Sequence, residues 1–290
     1  MTAVNGTPVN GTAVSWTLSG FADEIAPDPN VQIAVLEALG IRHIEVRSAW
    51  GTNIVELEPE RVAELAGLLR SNGIGTSAIG SPIGKVPSTV DVDSEVARLR
   101  RIIAAAHALE ATYVRIFSFY PPEGTKPEDA RDDVLRRLSA LAALAEQEGV
   151  VLLHENEKDI YGDTPERCLD LLESVGSPAL RAAWDAANFV QVGVGRPFTD
   201  GYAMLRPHLE YLQVKDARSA DGTVVPAGDG DGQVTETIAA LRDDGYAGYA
   251  SMEPHLADAH SMGGFSGPSA FGVATRAFTA LLDRAGVGYR

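Results

Sequence analysis

Residues 150–176 read VVLLHENEKDIYGDTPERCLDLLESVG: a short run of Val and Leu, a polar cluster, then an amphipathic stretch closed by Gly176. The apolar run is too short for a buried helix and suits a strand with both faces covered. In PERCLDLL the apolar residues recur at the spacing of an amphipathic helix. The segment is one strand, one loop and one helix, and the polar residues stand where the strand enters the loop.

The same unit recurs in both directions along the chain. Upstream lie WTLSGFADEI with VQIAVLEALG, HIEVRS with ELEPERVAELAGLLRSNG, IGTSAIGS with SEVARLRRIIAAAHALE, and TYVRIFSF with PEDARDDVLRRLSALAALAEQEG. Downstream lie LRAAWDAANF with DGYAMLRPHL, EYLQVKDAR with QVTETIAALRDDG, and GYASMEPHL with PSAFGVATRAFTALLDRAG. Eight alternating units imply a parallel sheet wrapped in helices, and eight in about 250 residues match a closed (β/α)₈ TIM barrel. A doubly wound sheet fits less well, because the first strand ends in FADEI and not in a glycine-rich phosphate turn. The expected organisation is one catalytic domain over residues 15–290, preceded by a disordered leader, residues 1–14, rich in Gly, Thr and Asn without period.

Composition narrows the function classes. The chain has 290 residues, 45% of them hydrophobic, enough for one large core. It shows neither a run of about 20 apolar residues nor a secretory n-region and h-region, so a cytoplasmic protein with no membrane partner is expected. The net charge is −16 and the 24 Lys and Arg are dispersed, whereas a nucleic-acid reader needs a concentrated basic field. The single Cys168 excludes an intrachain disulfide and reads as a small packing residue.

In this architecture chemistry sits where strands run into the loops that follow them. The last four strand ends, LLHENEKD, AAWDAANF, LQVKDAR and SMEPHL, each carry a carboxylate or carboxamide there. Burying several acids at a barrel mouth is costly unless a cation compensates them. Glu155, Asp185, Gln213 and Glu253 form a hard, oxygen-only donor set, which suits one divalent metal, Mg²⁺ or Mn²⁺ with Co²⁺ as a third option, better than structural zinc. Side chains two apart on a strand share a face, so Lys215 accompanies Gln213, His255 accompanies Glu253, and Glu157 accompanies Glu155; His154 and Asp216 turn to the helix layer or sit in the turn.

In order, FADEIAPD, GIRHIEVR, GSPIGK, YVRIFSF, HENEKDIYGDT, WDAANF, YLQVKDAR, AGDGDGQV and YASMEPHL resemble the sugar-phosphate isomerase/epimerase superfamily of xylose-isomerase-like barrels, over nearly the whole chain from Phe21. That superfamily includes ketose 3-epimerases, hydroxypyruvate isomerase and inosose dehydratase. The resemblance implies a metal bound by Glu155, Asp185, Gln213 and Glu253, with Gln213 replacing the His of most members, as in hydroxypyruvate-isomerase-like ones. It also implies that Glu155 and Glu253 serve as the catalytic acid/base pair.

The expected function is a metal-dependent isomerase or epimerase of a keto sugar or related polyol, by proton transfer through an enediolate. The alternative on the same scaffold is a lyase that dehydrates an inosose or eliminates from a 3-keto-glycoside. A barrel endonuclease is disfavoured by the charge and by six His that form no cluster; a non-catalytic binding barrel and a homo-oligomer stay open. Substrate contacts are expected among His255, Lys215, Lys85, Arg115, Lys158 and Arg218. His255 suits contact with substrate, orientation of Glu253, or a backbone partner, and Lys215 suits an oxyanion or a solvated head. Arg115, within an apolar strand, needs a rim carboxylate or substrate oxygens. Asp23, Glu24 and Glu45 are expected to pair with rim cations, and AGDGDGQV (227–234) to form a flexible loop over the substrate.

Overall fold

The computed structural model describes residues 15–256 and 266–290, so the leader expected at 1–14 lies outside the described residues. The eight strands of the sequence pattern are all present: β1 (Ser15–Gly20), β2 (His43–Val46), β3 (Gly75–Ile79), β4 (Tyr113–Ile116), β5 (Val151–Glu155), β6 (Leu180–Asp185), β7 (Leu209–Val214) and β8 (Tyr249–Met252). A ninth, β9 (Gly288–Tyr289), follows the last helix. Every pairing in this sheet is parallel, in the order β9-β1-β8-β7-β6-β5-β4-β3-β2. A parallel bridge between Phe21 and Glu45 joins β1 to β2 and closes the ring. The fold is a (β/α)₈ barrel.

Local chemistry explains where the helices begin and end. Helices α1 (Pro29–Ala38), α3 (Val92–Ala108) and α5 (Pro165–Val175) start behind Asp28, Asp91 and Thr164, whose side chains accept a first-turn N–H. Proline occupies the first turn of α1, α2 (Pro59–Ser71), α4 (Pro127–Glu148) and α5, where its missing N–H has no partner to lose. The remaining regular helices are α6 (Ala186–Gln191), α7 (Val234–Asp243) and α8 (Gly267–Ala285). No described helix is long and apolar enough to cross a membrane.

Two boundaries differ from the sequence pattern. The apolar run LRAAWDAANF is not all strand: Asp185 ends β6 and caps α6 at once, its Oδ1 accepting the Asn188 N–H at 2.9 Å. The helix expected in DGYAMLRPHL is present but irregular: a π turn at Phe198–Tyr202 runs into an α turn at Ala203–Leu205 and a 3₁₀ turn at Arg206–His208, with Pro207 unable to continue an α ladder. The unforeseen β9 exists because a left-handed Gly286 (φ 68°) turns the chain back along β1, where Arg290 N–H meets Trp16 O at 3.1 Å.

Alternation divides the strands as the period-two pattern requires. Leu152, Leu180, Leu212 and Val214 pack outward into the main core against the helices. Leu153, Ala183 and Tyr211 form a separate interior cluster with Ala78. Each of those three stands two residues before Glu155, Asp185 or Gln213, so the interior plug is the floor on which the rim residues stand.

Candidate metal centre

Glu155 ends β5, Asp185 ends β6, and Glu253 follows β8 by one residue. All three are buried, and one oxygen from each lies within 4.8 Å of the others. Gln213, on β7 between them, donates from Nε2 to both oxygens of Glu45 at 3.2 and 3.0 Å. Its Oε1 is buried without a hydrogen-bond partner among the described residues.

Three buried cations surround these acids. Lys215 Nζ lies 2.9 Å from Asp185 Oδ2 and 2.8 Å from Glu253 Oε2. Arg115 Nη1 lies 3.0 Å from Glu155 Oε2 and 3.8 Å from Glu253 Oε1. Arg47 donates from Nη1 to Glu253 Oε1 at 3.1 Å and from Nε to Asp23 Oδ2 at 2.8 Å. Phe21 is flanked by both guanidinium groups, 4.5 Å from that of Arg47 and 4.8 Å from that of Arg115, a cation–π arrangement that fixes their planes.

The acids Asp23, Glu24, Glu45, Glu155, Asp185 and Glu253 outnumber Arg47, Arg115 and Lys215. The imbalance shows in the acidities. Burial, reinforced by the charge of Glu253, raises Glu155 to about 8; burial raises Asp185 to about 6, Glu24 to about 8, and Glu45 as well. Glu253 is opposite: burial would raise it, but Lys215, His255, Arg47 and Arg115 together hold it well below the carboxylate range. A divalent cation would relieve the surplus, and three carboxylates with one unpartnered amide oxygen are the hard donors it requires. The residues present fit such an ion.

A pH dependence follows. Glu24 and Glu155 keep a proton in the native state up to about 8, whereas the unfolded chain releases it near 4.5. Native binding exceeds unfolded binding across that window, so this contribution to stability falls as pH rises through it. The lowered histidines His43, His154 and His208 act in the opposite sense, but only below their ordinary 6.5. Thermal melts of metal-free protein are therefore expected to give a lower midpoint at about pH 8.5 than at about pH 6.5. Saturating Mn²⁺ should flatten that difference, because a bound cation holds the carboxylates ionised in the native state.

The other residues singled out by sequence fall into two groups. His255 lies at the rim in a left-handed conformation (φ 46°), its N–H donating to Glu24 Oε2 at 2.9 Å and its Nε2 standing 3.6 Å from Glu253 Oε1. Glu24 also accepts from Ser266 Oγ at 2.6 Å. Lys85 is farther out, paired with Glu157 at 2.8 Å and lying 4.7 Å from the Phe117 ring. It is placed there by Gly84 (φ 77°), where a Cβ would stand 2.1 Å from Phe117 O, so only glycine lets the loop cross the β4 end this closely. Lys158 and Arg218 are exposed, and no ion pair joins either to the rim carboxylates among the described residues. Arg218 instead faces Asp221 in its own turn and Asp231 in the glycine-rich loop.

His154 is buried on the outer side of β5, and a Cβ on Gly162 would stand 2.4 Å from its ring. Burial lowers it to about 3, so it is a neutral packing residue. Asp216 corrects the expectation of a flexible AGDGDGQV loop. Its carboxylate accepts the N–H groups of Ala217, Gly228, Gly230 and Gly232 at 2.9, 2.9, 3.1 and 2.9 Å, which ties the loop down. The glycines serve close approach to that carboxylate, since a Cβ on Gly230 or Gly232 would stand 2.4 or 2.7 Å from Asp216 Oδ1.

Sequence reasoning missed Arg47, Asn156 and Asn188. Asn188 Nδ2 reaches Glu155 Oε1 at 3.3 Å, and the Asn156 side chain brackets the Asp185 backbone with bonds of 2.8 and 3.0 Å. The available signal was position alone: Arg47 follows the β2 run directly, and both asparagines follow a rim carboxylate within three residues.

A family model described as Xylose isomerase-like TIM barrel matches residues 33–266. Among solved structures, the probable 3-DHS dehydratase AsbF involved in the petrobactin synthesis from Bacillus anthracis is 17% identical with a TM-score of 0.72, covering 91% of this chain and 98% of that one. A xylose isomerase-like TIM barrel protein from Mycobacterium smegmatis in complex with magnesium is 20% identical (TM-score 0.66; 94% and 98% covered). A D-tagatose 3-epimerase-like protein is 16% identical (TM-score 0.75; 93% and 98% covered). At these identities the likeness is one of fold. No curated protein sequence matches the chain.

Proposed function

The chain belongs to the xylose isomerase-like TIM barrel family, and from that premise we propose that it is a divalent-metal-dependent isomerase or epimerase of a keto sugar or related polyol. The observation that carries this is the convergence of Glu155, Asp185 and Glu253 on one point, with the unpartnered Oε1 of Gln213 beside them. These four residues would hold Mn²⁺ or Mg²⁺. When bound, such an ion would supply the charge withdrawal from a substrate carbonyl and neighbouring hydroxyl that acidifies the C–H between them.

Glu155 and Glu253 supply the proton transfer. They enter from the ends of β5 and β8, so their carboxylates approach the barrel axis from different sides. One removes the proton beside the carbonyl to give the enediolate form of the substrate, and the other returns it, which epimerises or isomerises the carbon. Acid–base catalysis of this kind contributes about 10²–10⁴ in rate. Arg115 and Lys215 hold the two carboxylates in place and offer positive charge to substrate oxygens. The near-complete burial of the acids keeps water from competing for the proton.

Incubation of the Mn²⁺-loaded protein with a panel of ketohexoses in D₂O tests the proposal. Deuterium at the carbon beside the carbonyl of an isomeric product is the expected result. An unsaturated product that has lost water or an aglycone would transfer the assignment to the lyase alternative. Absence of turnover with every keto sugar would contradict it.

A further inference from the structure

The carboxamide of Gln213 has two chemically different ends, and only its oxygen can ligate a cation, since the NH₂ group has no available lone pair. Which end faces the three carboxylates is therefore decisive for the centre. Something must hold the amide in one of two nearly isosteric orientations.

We propose that Glu45 is the positioning residue that turns the carbonyl oxygen of Gln213 toward the cation; this rests on the metal-dependent reading above. Both oxygens of Glu45 accept from Gln213 Nε2, at 3.2 and 3.0 Å, and Oε1 is left buried without a hydrogen-bond partner among the described residues. The reversed amide would set its oxygen against the two oxygens of Glu45 and turn an NH₂ group on the ligand side, losing one favourable contact and creating a repulsive one.

Glu45 is itself immobilised. It is buried, receives a hydrogen bond from Tyr211 OH at 3.1 Å, and its backbone bridges Phe21 at the seam that closes the barrel. Tyr211 OH is hydrogen-bonded to Ser77 Oγ at 2.9 Å, and Ser77 Oγ to Ser19 Oγ at 2.6 Å. A polar chain thus runs from the ligand-side amide down the barrel interior, where branched apolar residues ordinarily pack. A buried carboxylate is a costly way to fill that layer, and the orientation of a ligand accounts for it. Glu45 is not a member of the Glu155, Asp185 and Glu253 group, and its hydrogen bonds reach that group through Gln213.

The test is Mn²⁺ affinity, read from the electron paramagnetic resonance signal of the free ion, in wild type, Glu45→Gln, Gln213→Ala, and the double variant Glu45→Gln/Gln213→Ala. Loss of an outer orienting group weakens metal binding by about tenfold or more, and that loss is expected for Glu45→Gln. With the amide already removed there is nothing left to orient, so the double variant is expected to bind no more weakly than Gln213→Ala. A purely structural Glu45 would cost the same factor in both backgrounds, and that result overturns the assignment, as does a Glu45→Gln protein that binds like wild type. If Glu45→Gln fails to fold, Glu45→Asp in the same two backgrounds decides by the same criterion. Wild-type protein that binds no Mn²⁺ would overturn the metal reading itself and Glu45's role with it; wild-type binding with an unchanged Glu45→Gln protein overturns only the latter.

Discussion

Glu253→Gln is expected to lower turnover of the metal-loaded protein by at least about 10²–10⁴, the share that a positioned acid or base supplies. Glu253 is where the rim charges meet: Lys215 at 2.8 Å, Arg47 at 3.1 Å and Arg115 at 3.8 Å all address it. The amide retains the shape of the carboxylate but can neither accept a proton from carbon nor bind a cation as an anion. It also leaves Lys215 and Arg47 short of a countercharge. Steady-state kinetics with saturating Mn²⁺ and substrate separates these effects from weaker ion binding. The matched control is Glu157→Gln, a carboxylate two residues from Glu155 that pairs with Lys85. Glu157→Gln should stay within about tenfold of wild type, because it removes one partly exposed ion pair. A Glu253→Gln enzyme as active as that control would remove Glu253 from the chemistry.

At about pH 9, above the Glu155 titration at about 8, Arg115→Met should destabilise the metal-free protein by about 3–5 kcal/mol, the range for removing one partner of a buried ion pair. Arg115 is the only guanidinium within ion-pair distance of Glu155 among the described residues. Its Nη2 also donates to Gly80 O and Ser81 O at 3.3 and 3.4 Å, anchoring the loop after β3. Methionine keeps much of the packing against Phe21 and Phe117, so the loss reports charge more than volume. Urea unfolding measures it, and saturating Mn²⁺ should restore part of the stability by mass action and by replacing the lost countercharge. A change below about 1 kcal/mol would show that water reaches Glu155 and that the site is not dry.

The barrel and the acids of its rim were legible because two periodicities coincide. Period two along LLHEN places Glu155 on the interior face above Leu153, and the helical spacing of PERCLDLL covers the outer face. The same arithmetic set His154 and Asp216 apart from the centre, and both do other work: His154 packs beneath α5, and Asp216 holds a loop. What escaped depends on which strands meet. Arg47 in HIEVRS looks like any cation that ends a strand until the bridge from Phe21 to Glu45 closes the ring and brings β2 beside Asp23 and Glu253. Glu45 and Gln213 are separated by 168 positions and meet only across the barrel interior. The glycines of AGDGDGQV signal backbone freedom equally well in a mobile loop and in one wrapped around a carboxylate, and only the four N–H donors converging on Asp216 distinguish them. Asp185 is ambiguous for a similar reason, since an acid that ends a strand and one that caps a helix carry the same letter, and this residue does both.

The most direct test of the central claim is anomalous scattering from crystals soaked in Mn²⁺. The expected result is one strong peak bounded by Glu155, Asp185, Glu253 and the Oε1 of Gln213, with metal–oxygen distances of about 2.1 Å, as hard cations of this size require. No peak there, or a peak whose ligands exclude those residues, would contradict it.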